Sequence, residues 1–129
     1  PGQHVAHALL HIENALVANC LLRDGLYVYC MKLLPKKDKR EPVCCVKCQH
    51  WGHIAHDCMA ALDACSACRG PHRFAACNHP SCRYCVSCES SSHPSSSWNC
   101  PELTRHCAAL NMKHLDNTLP YFPTADPWT

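Results

Sequence analysis

Three stretches of the chain carry thiols and imidazoles at spacings that can close around a metal ion. Residues 45–58 read CVKCQHWGHIAHDC, which is C-x2-C-x4-H-x4-C through Cys45, Cys48, His53 and Cys58. Three thiolates and one imidazole form the donor set of a closed, tetrahedral, structural zinc site. Gly52 stands directly before the histidine, where a tight loop needs a backbone free of Cβ limits. Residues 65–77 read CSACRGPHRFAAC, spaced C-x2-C-x3-H-x4-C through Cys65, Cys68, His72 and Cys77. The first loop is one residue shorter, and Gly70-Pro71 supplies the tighter turn this requires. Residues 85–100 read CVSCESSSHPSSSWNC, spaced C-x2-C-x4-H-x6-C through Cys85, Cys88, His93 and Cys100. The serines between these ligands are then a ligand-bearing loop rather than a low-complexity linker. Three zinc ions per chain are expected.

Five cysteines remain. Cys20 and Cys30 fall on apolar faces and read as small core residues. Cys44 adjoins Cys45, but only Cys45 gives the C-x2-C spacing. Cys82 and His79 are competitors for the second and third sites. Cys107 reads as a helix-face residue. His50 and His56 flank the first site but break its spacing, and read as exposed. His4, His7, His11, His106 and His114 have no ligand partners at a recognisable spacing.

Composition makes metal a natural fastener. The chain has 129 residues, and its 47% hydrophobic content includes 14 cysteines but only two Phe, three Trp and four Tyr. So small an apolar core leaves a chain in need of another constraint. Disulfides are the alternative use of many cysteines. The histidines recurring at ligand spacing argue for metal instead, and hence for a reducing compartment, cytoplasm or nucleus. No secretory leader is visible, though the chain opens on Pro1 as a fragment or processed product would. No run approaches the ~18 apolar residues of a membrane span. Formal net charge is +2. Each three-thiolate, one-imidazole zinc site adds one negative charge, which brings the zinc-loaded chain to about −1. Bulk attraction to phosphate is therefore weak.

The elements that position these ligands fall into three regions. Residues 44–100 hold eleven of the fourteen cysteines and form a metal-stabilised array with little regular secondary structure: one unit at 44–60, a second at 61–79, a third at 80–101. Before it, residues 1–34 read as β-α-β. Residues 4–12 suit a strand, and Asn14 is a candidate N-cap. Leu16, Val17, Cys20 and Leu21 repeat on one helical face, and Gly25 sits where the residue after a helix belongs. Leu26, Val28 and Cys30 alternate with Tyr27, Tyr29 and Met31 as in one half-buried strand. Residues 35–43 read as a charged linker bracketed by prolines. In the third region, residues 102–115 suit a short helix with Leu103, Cys107, Leu110 and either His114 or Leu115 on one face. Pro120, Pro123 and Pro127 then interrupt any regular element, leaving Tyr121, Phe122 and Trp128 as an aromatic tail that docks on the array or engages a partner.

The first motif, CVKCQHWGHIAHDC, has the pattern of the CCHC zinc knuckle of retroviral nucleocapsid and related Gag-like proteins. With KDKREP before it, CSACRGPHRFAAC and CVSCESSSHPSSSWNCP after it, and the tail LPYFPTADPWT, the chain resembles the Gag-like first-frame protein of fungal non-LTR retrotransposons, or a host protein derived from one. The β-α-β segment resembles half of an RRM-like, ferredoxin-like α+β domain. These resemblances imply RNA binding and ribonucleoprotein assembly without catalysis.

The base platform in knuckles is made of apolar residues around the metal loop. Here Val46, Trp51 and Ile54 stand in that position, with Phe74 in the second unit and Trp98 in the third. Stacking on such aromatics contributes ~1–3 kcal/mol per base. Lys47, Arg69, Arg73 and Arg83 can add phosphate contacts or stack on bases. Trp51, Phe74 and Trp98 would otherwise shield their own metal sites. The expected ligand is single-stranded RNA or DNA, with self-association or a protein partner through the C-terminal tail and no membrane. Four protein ligands per metal leave no open position for catalysis. The rival is a cross-brace, RING-like module that recruits protein. It would interleave the pairs 45/48, 65/68 and 85/88 around shared metals, whereas knuckles use four consecutive ligands each.

Overall fold

The computed structural model describes residues 7–129. The chain divides into two units, one of residues 1–40 with 114–129 and one of residues 41–113.

The first unit is built on helix α1, Ala15–Asp24. Asn14 caps it as its residue type requires: the side-chain oxygen accepts from Leu16 N at 2.9 Å and Val17 N at 3.3 Å. Gly25 ends it at φ +82°, donating its N–H to Leu21 O. A Cβ at Gly25 would stand 2.7 Å from Leu33 O. The buried face is not the expected one. Ala18 and Asn19 are buried, with Ala15 and Leu22 half-buried; of the expected face Leu21 is half-buried, while Leu16, Val17 and Cys20 are exposed. Those buried positions recur at i, i+3, i+4 and i+7, also a helical face. A polar side chain selects it. Asn19 donates to Phe122 O and accepts from Phe122 N, both at 2.8 Å.

The strand expected at residues 26–31 is a hairpin instead. Strand β1, Leu26–Val28, pairs antiparallel with β2, Met31–Leu33, in the register Leu26↔Leu33, Tyr27↔Lys32 and Val28↔Met31. Tyr29 and Cys30 both lie at positive φ, +48° and +63°. Two consecutive left-handed residues give the twist of a two-residue hairpin turn. Tyr29 and Cys30 are not the usual residues for it, so alternation concealed the turn. Cys30 is therefore at an exposed turn, and Cys20 is exposed on α1; neither is a core residue. Residues 7–12 carry no strand, and the rest of the expected first strand lies outside the described residues. The described residues thus form helix and hairpin, not the β-α-β of a half RRM-like domain.

The charged stretch 35–43 is not a free linker throughout. The Lys37 ammonium donates to Asp116 O and, at 3.4 Å, to Tyr121 O, and lies 4.9 Å from the Phe122 ring centroid. Asn117 clamps the Arg40 backbone from both sides, accepting from its N–H at 2.7 Å and donating to its C=O at 3.0 Å. Phe122 and Trp128 meet α1 through Asn19 and through Arg23, whose guanidinium lies 4.6 Å from the Trp128 centroid. Tyr121 meets Trp128 edge to face at 5.2 Å. The aromatic tail therefore packs on this unit's own helix.

The second unit has little regular structure besides helix α2, Pro101–Lys113. Short 3-10 turns span Ala55–Asp57 and Phe74–Ala76. Its buried residues are Cys45, Cys65, Cys85 and Cys100, with Ala67, Val86 and Ser95. The core is mostly sulfur. No helix among the described residues is long and apolar enough to cross a membrane.

Candidate metal centres and their surface

Each C-x2-C pair is folded by one repeated turn. Cys45 N donates to His50 O at 2.8 Å, and Gln49 N donates back to Cys45 O at 2.8 Å. The same pair of bonds joins Cys65 to Gly70 and Arg69, and a reciprocal pair joins Cys85 to Ser90. The residue after the second cysteine is left-handed every time: Gln49 at φ +63°, Arg69 at +63° and Glu89 at +49°. Such conformations cost non-glycine residues energy. Three repetitions at one position mark a turn imposed by the ligand pair.

The return loops differ. Gly52 is at φ +96°, as its place before His53 suggested, and its N–H donates to Val43 O. Gly70 serves by lack of bulk instead: a Cβ there would lie 2.5 Å from His72 Cε1. The first two units reach their last cysteine through the 3-10 turns, with Cys58 N on Ala55 O and Cys77 N on Phe74 O. The third, two residues longer, uses a turn in which Ser97 N donates to Pro94 O and Cys100 N to Ser97 O.

The ligand sets read from spacing come together. Cys45, Cys48, His53 and Cys58 form one cluster, Cys65, Cys68, His72 and Cys77 a second, and Cys85, Cys88, His93 and Cys100 a third, with all donor atoms of a cluster within 4.8 Å of one another. A metal with bonds of zinc length, at a tetrahedral angle, sets S···S edges of about 3.8 Å and S···N edges of about 3.6 Å. The chain shows Cys68 Sγ···Cys77 Sγ at 3.8 Å and Cys85 Sγ···Cys100 Sγ at 3.7 Å. Cys48 Sγ lies 3.3 Å from His53 Nε2, and Cys68 Sγ 3.5 Å from His72 Nε2. Every cysteine is a free thiol. These separations, with Cys88 Sγ···Cys100 Sγ shorter at 3.4 Å, are compatible with the edges of a coordination sphere.

The third cluster adds an independent sign. His93 Nε2 is buried without a hydrogen-bond partner, while Nδ1 lies 2.8 Å from Ser92 Oγ. An orphaned ring nitrogen facing three thiols, with its other nitrogen held, is the arrangement of a metal ligand. The competitors fall away. Cys82 is exposed outside the clusters, and His79 serves through its backbone N–H, which donates to Cys77 Sγ at 3.4 Å.

Electrostatics prepare each cluster for a cation. Burial pushes the thiols up, but backbone N–H groups of Cys48 and Lys47 outweigh it at Cys45, which falls to about 7. Cys65 falls to about 7 against the same burial, through the N–H groups of Cys68 and Ala67. At Cys100 the same burial is outweighed by the Leu103 N–H, in the first turn of α2, acting together with the neighbouring side chains of the cluster. Burial and the neighbouring thiolate then push Cys48, Cys77 and Cys88 up to about 11. A thiolate at a helix N-terminus also complements the macrodipole.

The three units are tied to each other. Ala64 N donates to Lys47 O, Tyr84 N to Ala67 O and Ser95 N to Ser66 O. Ser87 Oγ donates to Gln49 O at 2.7 Å, joining the third unit to the first.

The proposed contact residues divide by exposure. Val46 and Ile54 are 60% and 53% exposed, Phe74 is 55% exposed, and Trp98 is 81% exposed. None of these four shields a metal from solvent as a buried cap. Trp51 differs: it is half-buried, pairs by backbone with Cys44, and stacks on His106 of α2 at 5.5 Å. Among the cations, Arg83 is exposed, Arg73 pairs with Asp63 at 3.1 Å, and Arg69 donates to Tyr84 Oη at 2.8 Å. Lys47 is half-buried. Spacing gave no sign of Ser92 or His106, since neither belongs to a ligand pattern.

No protein-family model, curated protein or solved structure matches the chain.

Proposed function

We propose that this chain is a zinc-dependent binder of single-stranded nucleic acid, RNA foremost, acting as a Gag-like component of a ribonucleoprotein. The supporting observation is that each metal cluster draws its four ligands from one continuous stretch, with apolar side chains left exposed beside it. Zinc would supply a rigid, closed coordination sphere and no open position, which fits a binding role rather than an enzyme. Val46 and Ile54 flank the first site, and Phe74 lies in the last loop of the second. An unpaired base can lie on such a surface; a duplex keeps its bases stacked inside. With a formal net charge of only +2 before metal is counted, affinity rests on base contact more than on phosphate. The cross-brace reading would need ligand pairs from different stretches around one metal, and the consecutive clusters favour the knuckle reading over it. Three clusters of free thiols fit a reducing compartment, cytoplasm or nucleus.

Fluorescence anisotropy of the zinc-loaded chain on a single-stranded RNA and on its duplex tests this reading. The single strand should bind at least tenfold more tightly, about 1.4 kcal/mol. Phe74→Ala should weaken it about fivefold or more, given ~1–3 kcal/mol per stacked base, and Ile54→Ala less. Equal affinity for duplex, or no response to either variant, refutes it.

A further inference from the structure

Trp51 and Trp98 share a feature apart from the exposed surface of Val46, Ile54 and Phe74. Together with the first turns of α2 they line a cleft of about 520 Å³. Its floor and sides include Leu103 and Cys107 of α2, and its one charged lining residue is Glu41. No lysine, arginine or histidine lines it. That charge pattern is wrong for a phosphate-bearing strand, which needs cations nearby. It suits the opposite charge.

We infer that this cleft receives an arginine side chain from a basic peptide segment of a protein partner. The guanidinium is planar and weakly hydrated, so it lies against an indole face while keeping its in-plane donors for a carboxylate. Trp51 and Trp98 supply the faces and Glu41 the carboxylate. The arginine methylenes cover the apolar surface of Leu103 and Cys107. The chain uses the same pairing internally, where the Arg23 guanidinium lies 4.6 Å from the Trp128 ring centroid. Trp51 is held for the purpose, since stacking on His106 fixes its ring. Protein recognition by this cleft is independent of nucleic-acid recognition by the exposed apolar residues, so the two readings stand or fall separately.

The test uses the full zinc-loaded chain and a blocked pentapeptide with one arginine between glycines, against the same peptide carrying neutral citrulline. Indole N–H resonances report the site, with Trp128 of the other unit as internal reference. The arginine peptide should shift Trp51 and Trp98 saturably and leave Trp128 in place. Citrulline should bind about fivefold more weakly or worse, and Glu41→Gln should narrow that difference while leaving RNA affinity unchanged. Trp98→Ala, at an 81% exposed position, should weaken the arginine peptide about fivefold. Equal binding of the two peptides overturns the inference, as does indifference to Glu41→Gln. So does an oligonucleotide that moves both indoles where the peptide moves neither.

Discussion

The two units of this chain solve one problem in opposite ways. Residues 41–113 bury almost nothing large and apolar; their interior is Cys45, Cys65, Cys85 and Cys100 with Ala67, Val86 and Ser95. In place of a core stand three thiol–imidazole clusters compatible with metal and the backbone bonds between them. The other unit has no metal cluster among its described residues. It is held by polar side chains gripping distant backbone: Asn19 on Phe122, Asn117 on Arg40, Lys37 on Asp116 and Tyr121. It leaves Leu9, Leu10, Tyr27, Tyr29 and Leu34 exposed. The lesson is that a short chain lacking a hydrophobic core can replace it either with metal or with a few long-range amide clamps. The first gives local, all-or-none order. The second is graded.

Removing metal should separate the two most sharply. A strong zinc chelator should abolish amide protection across residues 44–100 and melt α2, because an apparent ~10–16 kcal/mol per structural zinc exceeds what the remaining contacts provide. Helix α1 and its clamp to Phe122 should persist. Two-dimensional amide NMR checks both, and loss of α1 on chelation would show that the division is not thermodynamic.

Acid should act in the same direction. Cys48, Cys77 and Cys88 sit near 11 without metal, so they are protonated at neutral pH and metal must displace those protons. Metal-bound protein carries fewer protons than metal-free protein, so affinity falls as pH falls. Titration from pH 7.5 to 5.5 should release metal, read with a chromogenic zinc indicator, while the α1 resonances stay. Metal retention down to about pH 4 would contradict the ligand assignment.

Smaller effects belong to the clamped unit. Asn19→Ala should destabilise it by about 1–3 kcal/mol, since two Phe122 backbone groups lose their partner, without changing zinc stoichiometry. Thermal unfolding and metal analysis read the two halves of that statement. Asn14→Ala should cost about 1 kcal/mol or less through loss of the helix cap, seen as fraying of Leu16 and Val17 amides by hydrogen exchange. A fall in zinc content with either variant would break the comparison.

What the sequence disclosed follows the same division. All three ligand sets were legible because each is local and its spacing is set by bond length and tetrahedral angle. Asn14, Gly25 and Gly52 were legible for a similar reason: one residue type answers one backbone need. The hairpin was hidden because Tyr29 and Cys30, not glycine or asparagine, take its left-handed positions. The buried face of α1 was hidden because Asn19 is polar and its partner is 103 residues away. Period alone pointed to Leu16, Val17, Cys20 and Leu21, of which only Leu21 is half-buried and the rest are left to solvent. Trp51 showed its ring but not its neighbour, since His106 lies in a helix beyond two more metal loops.

Cys100 carries a consequence of its own. Its thiol belongs to the third cluster, its N–H closes the turn from Ser97, and its C=O accepts from Thr104 at the start of α2. One residue is both the last ligand of a cluster fit for a metal and the start of a helix. With metal bound the helix would have no independent heading: its axis would be aimed by that cluster as a compass needle is aimed by its pivot. A ligand exchange or an oxidised sulfur at that single atom would be read at the far end of α2, about 20 Å away at the helical rise, with no signalling segment in between.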